Sequence, residues 1–174
     1  MTTKQLTTTQ TDEQLKSLYQ SAFPVEEQIP WDDLMRLVEE MPLDFTSYYE
    51  GGSLIGFTIV YPRETFNWFW YFAVREELRG KGYGQQILSL LTERYKNGTN
   101  ILDMESPTKQ PCDNIEQRKR RHAFYLRNGF RDTHIYRSFD GITYPIMMNG
   151  DGTFTHQDYD DILADLQRFW WREE

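Results

Sequence analysis

The chain has 174 residues, 39% hydrophobic and 16% aromatic, which suits one packed domain and is short for two. A formal net charge of −8 supplies no basic face for nucleic acid, and the longest nearly apolar run, residues 66–74, is too short to cross a membrane. A single cysteine, Cys112, leaves nothing for an internal disulfide and favours a reducing, cytoplasmic setting.

The opening residues carry no charged-then-apolar leader, and 1–10, rich in Thr and Gln, read as a flexible tail before one domain over 11–174. Two helices come next. Residues 11–14, Thr-Asp-Glu-Gln, have the form of a capping box. Leu15, Leu18, Tyr19 and Ala22 then share one helical face. Pro24 ends this helix and Pro30 opens a second at its first helical position, with Asp32 and Asp33 in the positive first turn. Leu34, Leu37, Val38 and Met41 repeat the face before Pro42 closes it.

The period then shortens. Residues 45–49 and 54–61 predict a hairpin around Gly51-Gly52, and 67–74, aromatic on both faces, a central strand. Residues 85–96 predict a helix with Ile87, Leu88, Leu91 and Tyr95 on one side. A short strand over 101–104, a loop over 106–114 and a basic helix over 115–127 follow. Two more strands, 130–139 and 142–148, flank Asp140-Gly141, and Tyr159, Ile162, Leu163, Leu166 and Trp170 give a terminal helix. This order describes one α/β (α+β) domain with a mixed sheet.

Chemistry concentrates in residues 79–84, Arg-Gly-Lys-Gly-Tyr-Gly, between the aromatic strand and the next helix. Glycines at alternate positions let backbone N–H groups converge on one anion, and the helix adds its positive end. Arg79 and Lys81 add full charge. The dinucleotide fingerprint fails because Ile87 stands where its third glycine belongs, and the triphosphate loop fails because Gly82 follows Lys81. A glycine-rich corner with no ligand is the remaining plain reading.

The wider segment 73–84 resembles the acetyl-CoA-binding motif of the GNAT superfamily of N-acetyltransferases: Gln or Arg, two residues, Gly, one residue, then Gly or Ala. Arg79, Gly82 and Gly84 occupy its fixed positions. Residues 121–130, Arg-His-Ala-Phe-Tyr-Leu-Arg-Asn-Gly-Phe, resemble the later motif of that superfamily, in which a Tyr near a helix end precedes Gly-Phe. The resemblance covers roughly 11–150. It implies a twisted, mostly antiparallel sheet of about six to seven strands flanked by helices, and leaves the terminal helix as an extension. It also implies an acetyl-CoA-dependent acyltransferase (an N-acetyltransferase) acting by direct attack of a primary amine, on a small molecule or peptide, upon the thioester.

By the same resemblance, the backbone of Phe72, Ala73 and Val74 holds the pantetheine arm, and Arg79, Gly80, Lys81, Gly82, Tyr83 and Gly84 hold the pyrophosphate. Tyr125 matches the acid that protonates the leaving thiolate; a core aromatic is its plainer reading. No carboxylate lies in 67–74, so Glu105, at a strand end, is the first candidate for general base. Glu26 and Glu27, between the first two helices, could attract a cationic amine. An inactive acyl-CoA-binding module is the alternative function. His122, His134 and His156 are too widely spaced for a metal site. The basic run 118–121 reads as a solvated face, with CoA or a second copy in a homodimer as other partners. Trp68, Trp70, Trp170 and Trp171 read as core or interface.

Overall fold

β-Branched and aromatic residues alternating over the middle of the chain build the sheet, and its order sets where the faces and gaps fall. The computed structural model describes residues 1–6, 12–108, 114–139 and 141–170. Seven strands make one sheet: β1 (Thr2–Gln5), β2 (Asp44–Glu50), β3 (Ser53–Pro62), β4 (Phe66–Val74), β5 (Thr99–Asp103), β6 (Arg131–Phe139) and β7 (Ile142–Asn149). Their order is β1-β2-β3-β4-β5-β7-β6. Every pair is antiparallel except β4–β5. The aromatic strand β4 is fourth of seven, which explains why both its faces are apolar. Gly51 and Gly52 both take positive φ, +57° and +81°, as a two-residue hairpin turn requires.

The helices are α1 (Glu13–Ala22), α2 (Trp31–Glu40), α3 (Tyr83–Arg94), α4 (Ile115–Arg127) and α5 (His156–Trp170). Ile87, Leu88 and Leu91 of α3 and Tyr125 of α4 pack on one face with Phe69, Leu102 and Met147. On the other face α1 packs through Leu15, Leu18 and Tyr19 against Phe57 and Tyr71. Leu37 of α2 and Ile162 of α5 close a third cluster over Phe66, Trp68 and Ile146. No helix among the described residues is long and apolar enough to cross a membrane.

Three local expectations change. Thr2–Gln5 is an edge strand paired with β2, not a loose tail. All four residues are exposed, so no hydrophobic pattern announces it; β-branched Thr and a free sheet edge suffice. Asp12 caps α1, its Oδ1 accepting from the N–H groups of Gln14 and Leu15 at 3.0 and 3.3 Å. A carboxylate at the positive helix end caps strongly; Thr11 lies outside the described residues. Pro30 stands just before α2, not within it. Cys112 and Trp171, and the side chain of Trp170, also lie outside what is described.

Candidate active site

Two sequence features open the sheet. β4 and β5 pair over only three residues, Phe66–Trp68 against Thr99–Ile101. The buried Asn67 Nδ2 donates to Asn100 Oδ1 at 2.9 Å, riveting the strands where they still touch. Beyond Trp68 the strands part. On its other side β4 carries a bulge: Ile59 pairs with Tyr71 and Val60 with Phe69, leaving Trp70 opposite no residue. Bulges bend a strand and raise its twist. The result is a wedge in mid-sheet, filled by a cavity of about 410 Å³.

A glycine-rich turn lies where β4 runs into α3. Gly80 and Gly82 take φ of +75° and +85°, and a side chain added at either would meet no protein atom within 4 Å. Among the described residues, no acceptor bonds the N–H groups of 80–85, whereas the Gln86 N–H already bonds the Gly82 carbonyl at 3.1 Å. Successive free amides at a helix start make a seat for an anion. A Cβ added at Gly84 would lie 3.7–3.9 Å from Phe124, Phe72 and Val74, ordinary contact distances that leave no room for a larger side chain in that direction. Lys81 is exposed beside the amides. Arg79 folds back, its Nε donating to the Val74 carbonyl at 3.2 Å, so this guanidinium also braces the turn. Phe72, Ala73 and Val74 follow the bulge on the stretch of β4 that has left β5. A diphosphate on the amides and an extended arm along β4 fit these residues.

The cavity itself draws on elements far apart in the chain. Glu27, Gln28 and Ile29 enter from the α1–α2 connection. Tyr71 donates to the Glu27 carbonyl at 2.8 Å, and the Ile29 N–H donates to the Tyr19 hydroxyl at 2.7 Å, pinning that connection over β4. Trp68 and Trp70 stack at 4.7 Å and line the wall. Leu163, Leu166 and Gln167 of α5 form a third side. α5 is held there through Asp165, which accepts from the Tyr61 hydroxyl at 2.8 Å and pairs with Arg63 at 3.0 Å. The terminal extension is therefore part of the cavity.

Among the described residues, six charged side chains line this space: Glu26, Glu27, Asp103, Glu105, Arg121 and Arg137. Asp103, at the end of β5, pairs with Arg137 at 2.9 Å and accepts from Trp68 Nε1 at 3.0 Å. A bulge in β6 makes that reach possible, because Thr133, His134 and Ile135 together oppose Ile146 and so bring Arg137 level with Tyr144. His134 takes φ +62° there. Glu105 pairs with Arg118 at 2.7 Å, both almost fully buried. The basic run is thus not a uniformly solvated face: Arg118 is buried, Arg121 faces the cavity, and only Lys119 and Arg120 are exposed. Glu26 is exposed at the rim.

Glu27 is half-buried, and Tyr144 donates to its Oε1 at 3.2 Å. Burial, then the neighbouring Glu105 charge, push its carboxyl above the usual carboxylate range; the Tyr144 bond and Arg121 pull the other way. The Tyr125 ring packs against Phe124 and Phe130 while the residue also lines the cavity. Its hydroxyl has no hydrogen-bond partner among the described residues. Burial raises its pKa, with Arg121 opposing. No cluster of metal-ligating side chains exists among the described residues, and His122 pairs with Asp132 at 2.9 Å.

The site brings together Tyr125, Glu105, Glu26, Glu27 and Phe72 on one cavity, with the 79–84 turn at the end of its β4 wall. The sequence reading missed Asp103, Arg121, Arg137, Tyr144 and the α5 leucines. Asp103 alone had a local signal, an acidic residue ending a short apolar strand.

Comparisons with known proteins agree with this architecture. Residues 43–132, just over half of the chain, match the family model described as an acetyltransferase (GNAT) domain. No curated protein sequence matches. Among solved structures, one from Bacteroides thetaiotaomicron, described as a GNAT-family acetyltransferase by assignment, is 24% identical over 100% of both chains, with a TM-score of 0.75. A GNAT family acetyltransferase from Elizabethkingia anophelis with acetyl-CoA bound is 14% identical over 86% of this chain and 97% of its own, with a TM-score of 0.63. An aminoglycoside 6'-N-acetyltransferase complexed with coenzyme A is 19% identical over 86% and 96%, with a TM-score of 0.65. At such identities these structures speak to the fold. The family match, falling on the strands and the glycine turn that frame the cavity, settles the lineage: the chain belongs to the GNAT acetyltransferases.

Proposed function

We propose that the protein is an acetyl-CoA-dependent N-acetyltransferase for a primary amine. The observation that carries this is the run of amides over 80–85 with no acceptor among the described residues, a few residues past β4, whose Phe72 lines the cavity that also holds Tyr125 and Glu27. Relatives of the same fold hold acetyl-CoA or coenzyme A, which supports that donor.

Gly80, Lys81, Gly82, Tyr83 and Gly84 hold the diphosphate through backbone N–H groups, with Lys81 and Arg79 adding charge. Phe72, Ala73 and Val74 offer the freed edge of β4 to the pantetheine arm. When bound, acetyl-CoA supplies an activated thioester carbonyl.

An alkyl amine with a pKa of roughly 10.4 arrives protonated, so a base must act first. Four carboxylates line the cavity among the described residues; Asp103 is paired with Arg137 and Glu26 is exposed at the rim, which leaves Glu105 and Glu27. Glu105 is engaged by Arg118, whereas Glu27 faces the cavity with its proton affinity raised. Glu27 is therefore assigned the base, and Glu105 raises it through its charge. The neutral amine nitrogen forms the new bond to the acetyl carbon as the carbon–sulfur bond breaks. Glu27 takes the ammonium's proton beforehand and passes it to solvent, Tyr125 gives its hydroxyl proton to the departing sulfur, and the second proton, shed by the new N-acyl nitrogen, restores the Tyr125 hydroxyl. Holding both reactants in one cavity contributes up to roughly 7–11 kcal/mol.

Thermal shift with acetyl-CoA, followed by thiol release against a panel of amines, tests the reading. Ligand at about 100 times its Kd should stabilise the fold by roughly 2.7 kcal/mol. Stabilisation without turnover of any amine would instead indicate an acyl-CoA-binding module, and no stabilisation would remove the donor assignment.

A further inference from the structure

We infer that the acceptor carries a carboxylate as well as its amine, on an apolar or aromatic body: an amino-acid-like zwitterion. The inference rests on the acetyl-transfer reading and names the substrate class of that same cavity.

The charges carry it. Of the six charged residues lining the cavity, Asp103 and Arg137 neutralise each other, and Glu105 is neutralised from behind by Arg118. Glu26 is at the exposed rim. Inside, among the described residues, that leaves one acid and one base, Glu27 and Arg121. They feel each other electrostatically but form no ion pair within 4.0 Å. Arg121 is half-buried and has no hydrogen bond or ion pair among the described residues. A guanidinium drawn partly out of water without a partner is costly, and a planar five-donor fork matches a carboxylate.

Geometry orders the two ends. Arg121 stands one helical turn before Tyr125 on the same face of α4, so a carboxylate on Arg121 lies beside the reacting end. Glu27 comes from the α1–α2 connection and takes the ammonium. Around them the walls are apolar: Phe23, Trp70, Leu163 and Leu166. A peptide N-terminus would bring the amine without the carboxylate, and a polyamine would bring only positive charge. Neither gives Arg121 a partner.

The test uses the whole protein with saturating acetyl-CoA. Thiol release is measured for L-leucine, L-phenylalanine and L-tryptophan, their methyl esters, spermidine and a short C-terminally amidated peptide without acidic side chains. The free acids should be acetylated and their esters poorly so. Arg121→Gln should lower kcat/KM for the free acids by about 10- to 100-fold more than for the esters, leaving the acetyl-CoA KM unchanged. Arg121→Lys should recover part of the loss. Esters, spermidine or peptide used as well as the free acids would overturn the inference. So would an Arg121→Gln defect that falls equally on acid and ester or raises the acetyl-CoA KM, since Arg121 would then serve the donor. Calorimetric titration of coenzyme A separates the two levels: absent coenzyme A binding removes the acetyl-transfer reading itself, while intact binding with a carboxylate-blind acceptor end removes this inference alone.

Discussion

The two ends of the cavity are built by different means. The proposed donor end is local: six consecutive residues, three of them glycine, turn a strand into a helix and leave amides with no acceptor among the described residues. Its chemistry is backbone chemistry, and the side chains matter mainly by being absent. The acceptor end is assembled from the α1–α2 connection, β4, β5, β6, β7, α4 and α5, and its chemistry lies in side chains that meet only after folding. A donor shared by a family can be held by a short, transferable turn. An acceptor particular to one enzyme requires contacts that no local pattern records.

Substitutions at the two ends should therefore fail differently. The largest effect is expected at the donor end. Gly82→Trp fills the open space over the amides and forces a bulky residue into a left-handed conformation, so calorimetry should find no coenzyme A binding. Retained affinity would uncouple the turn from the donor.

Where the ends meet, Tyr125→Phe should lower kcat by on the order of 10²-fold or more with coenzyme A affinity nearly intact. An unchanged kcat would return Tyr125 to a purely structural role in the α4 core. Glu27→Gln should lower kcat/KM by about 10²-fold at neutral pH and erase the rising limb of the pH profile. That limb should lie above the usual carboxylate range, because burial and Glu105 raise the Glu27 pKa. The sign for stability follows. A carboxyl whose folded pKa is raised helps the fold below its unfolded pKa, and that help is lost as pH rises through the folded value. Glu27→Gln should thus be no less stable than the parent at neutral pH.

Glu105→Gln should show the opposite balance. It strands the buried Arg118, and breaking such a pair costs about 3–5 kcal/mol, or roughly 10 °C in Tm for a domain of this size. Its pH profile should keep a rising limb. A parent-like Tm with the limb lost would move the base from Glu27 to Glu105. Smallest of all, Leu166→Ala at the α5 wall should raise the acceptor KM by about 10-fold and leave the acetyl-CoA KM alone.

The same contrast explains what could be read in the sequence. Helical faces such as Leu34/Leu37 and Ile87/Leu88/Leu91, the Gly51-Gly52 hairpin and the aromatic centrality of β4 were legible because each is written within a dozen residues. β1 was not, since an exposed edge strand needs no apolar alternation. The buried Arg118 looked like one charge in a basic run because its partner, Glu105, lies 13 residues away in the chain. Arg137 reaches Asp103 only because a bulge shifts the β6 register, and bulges of that kind leave no clear trace in composition. The α5 leucines read as an ordinary apolar face; what they cover was fixed by Asp165 docking on Tyr61 and Arg63.

The central claim is that the amides of residues 80–85 are free to hold a diphosphate. Nitrogen–proton correlation spectra recorded while coenzyme A is titrated read those groups directly. Saturable shifts concentrated at Gly80, Gly82, Tyr83 and Gly84, with smaller ones along β4, are expected. Unmoved signals for those glycines at saturating coenzyme A would contradict the account.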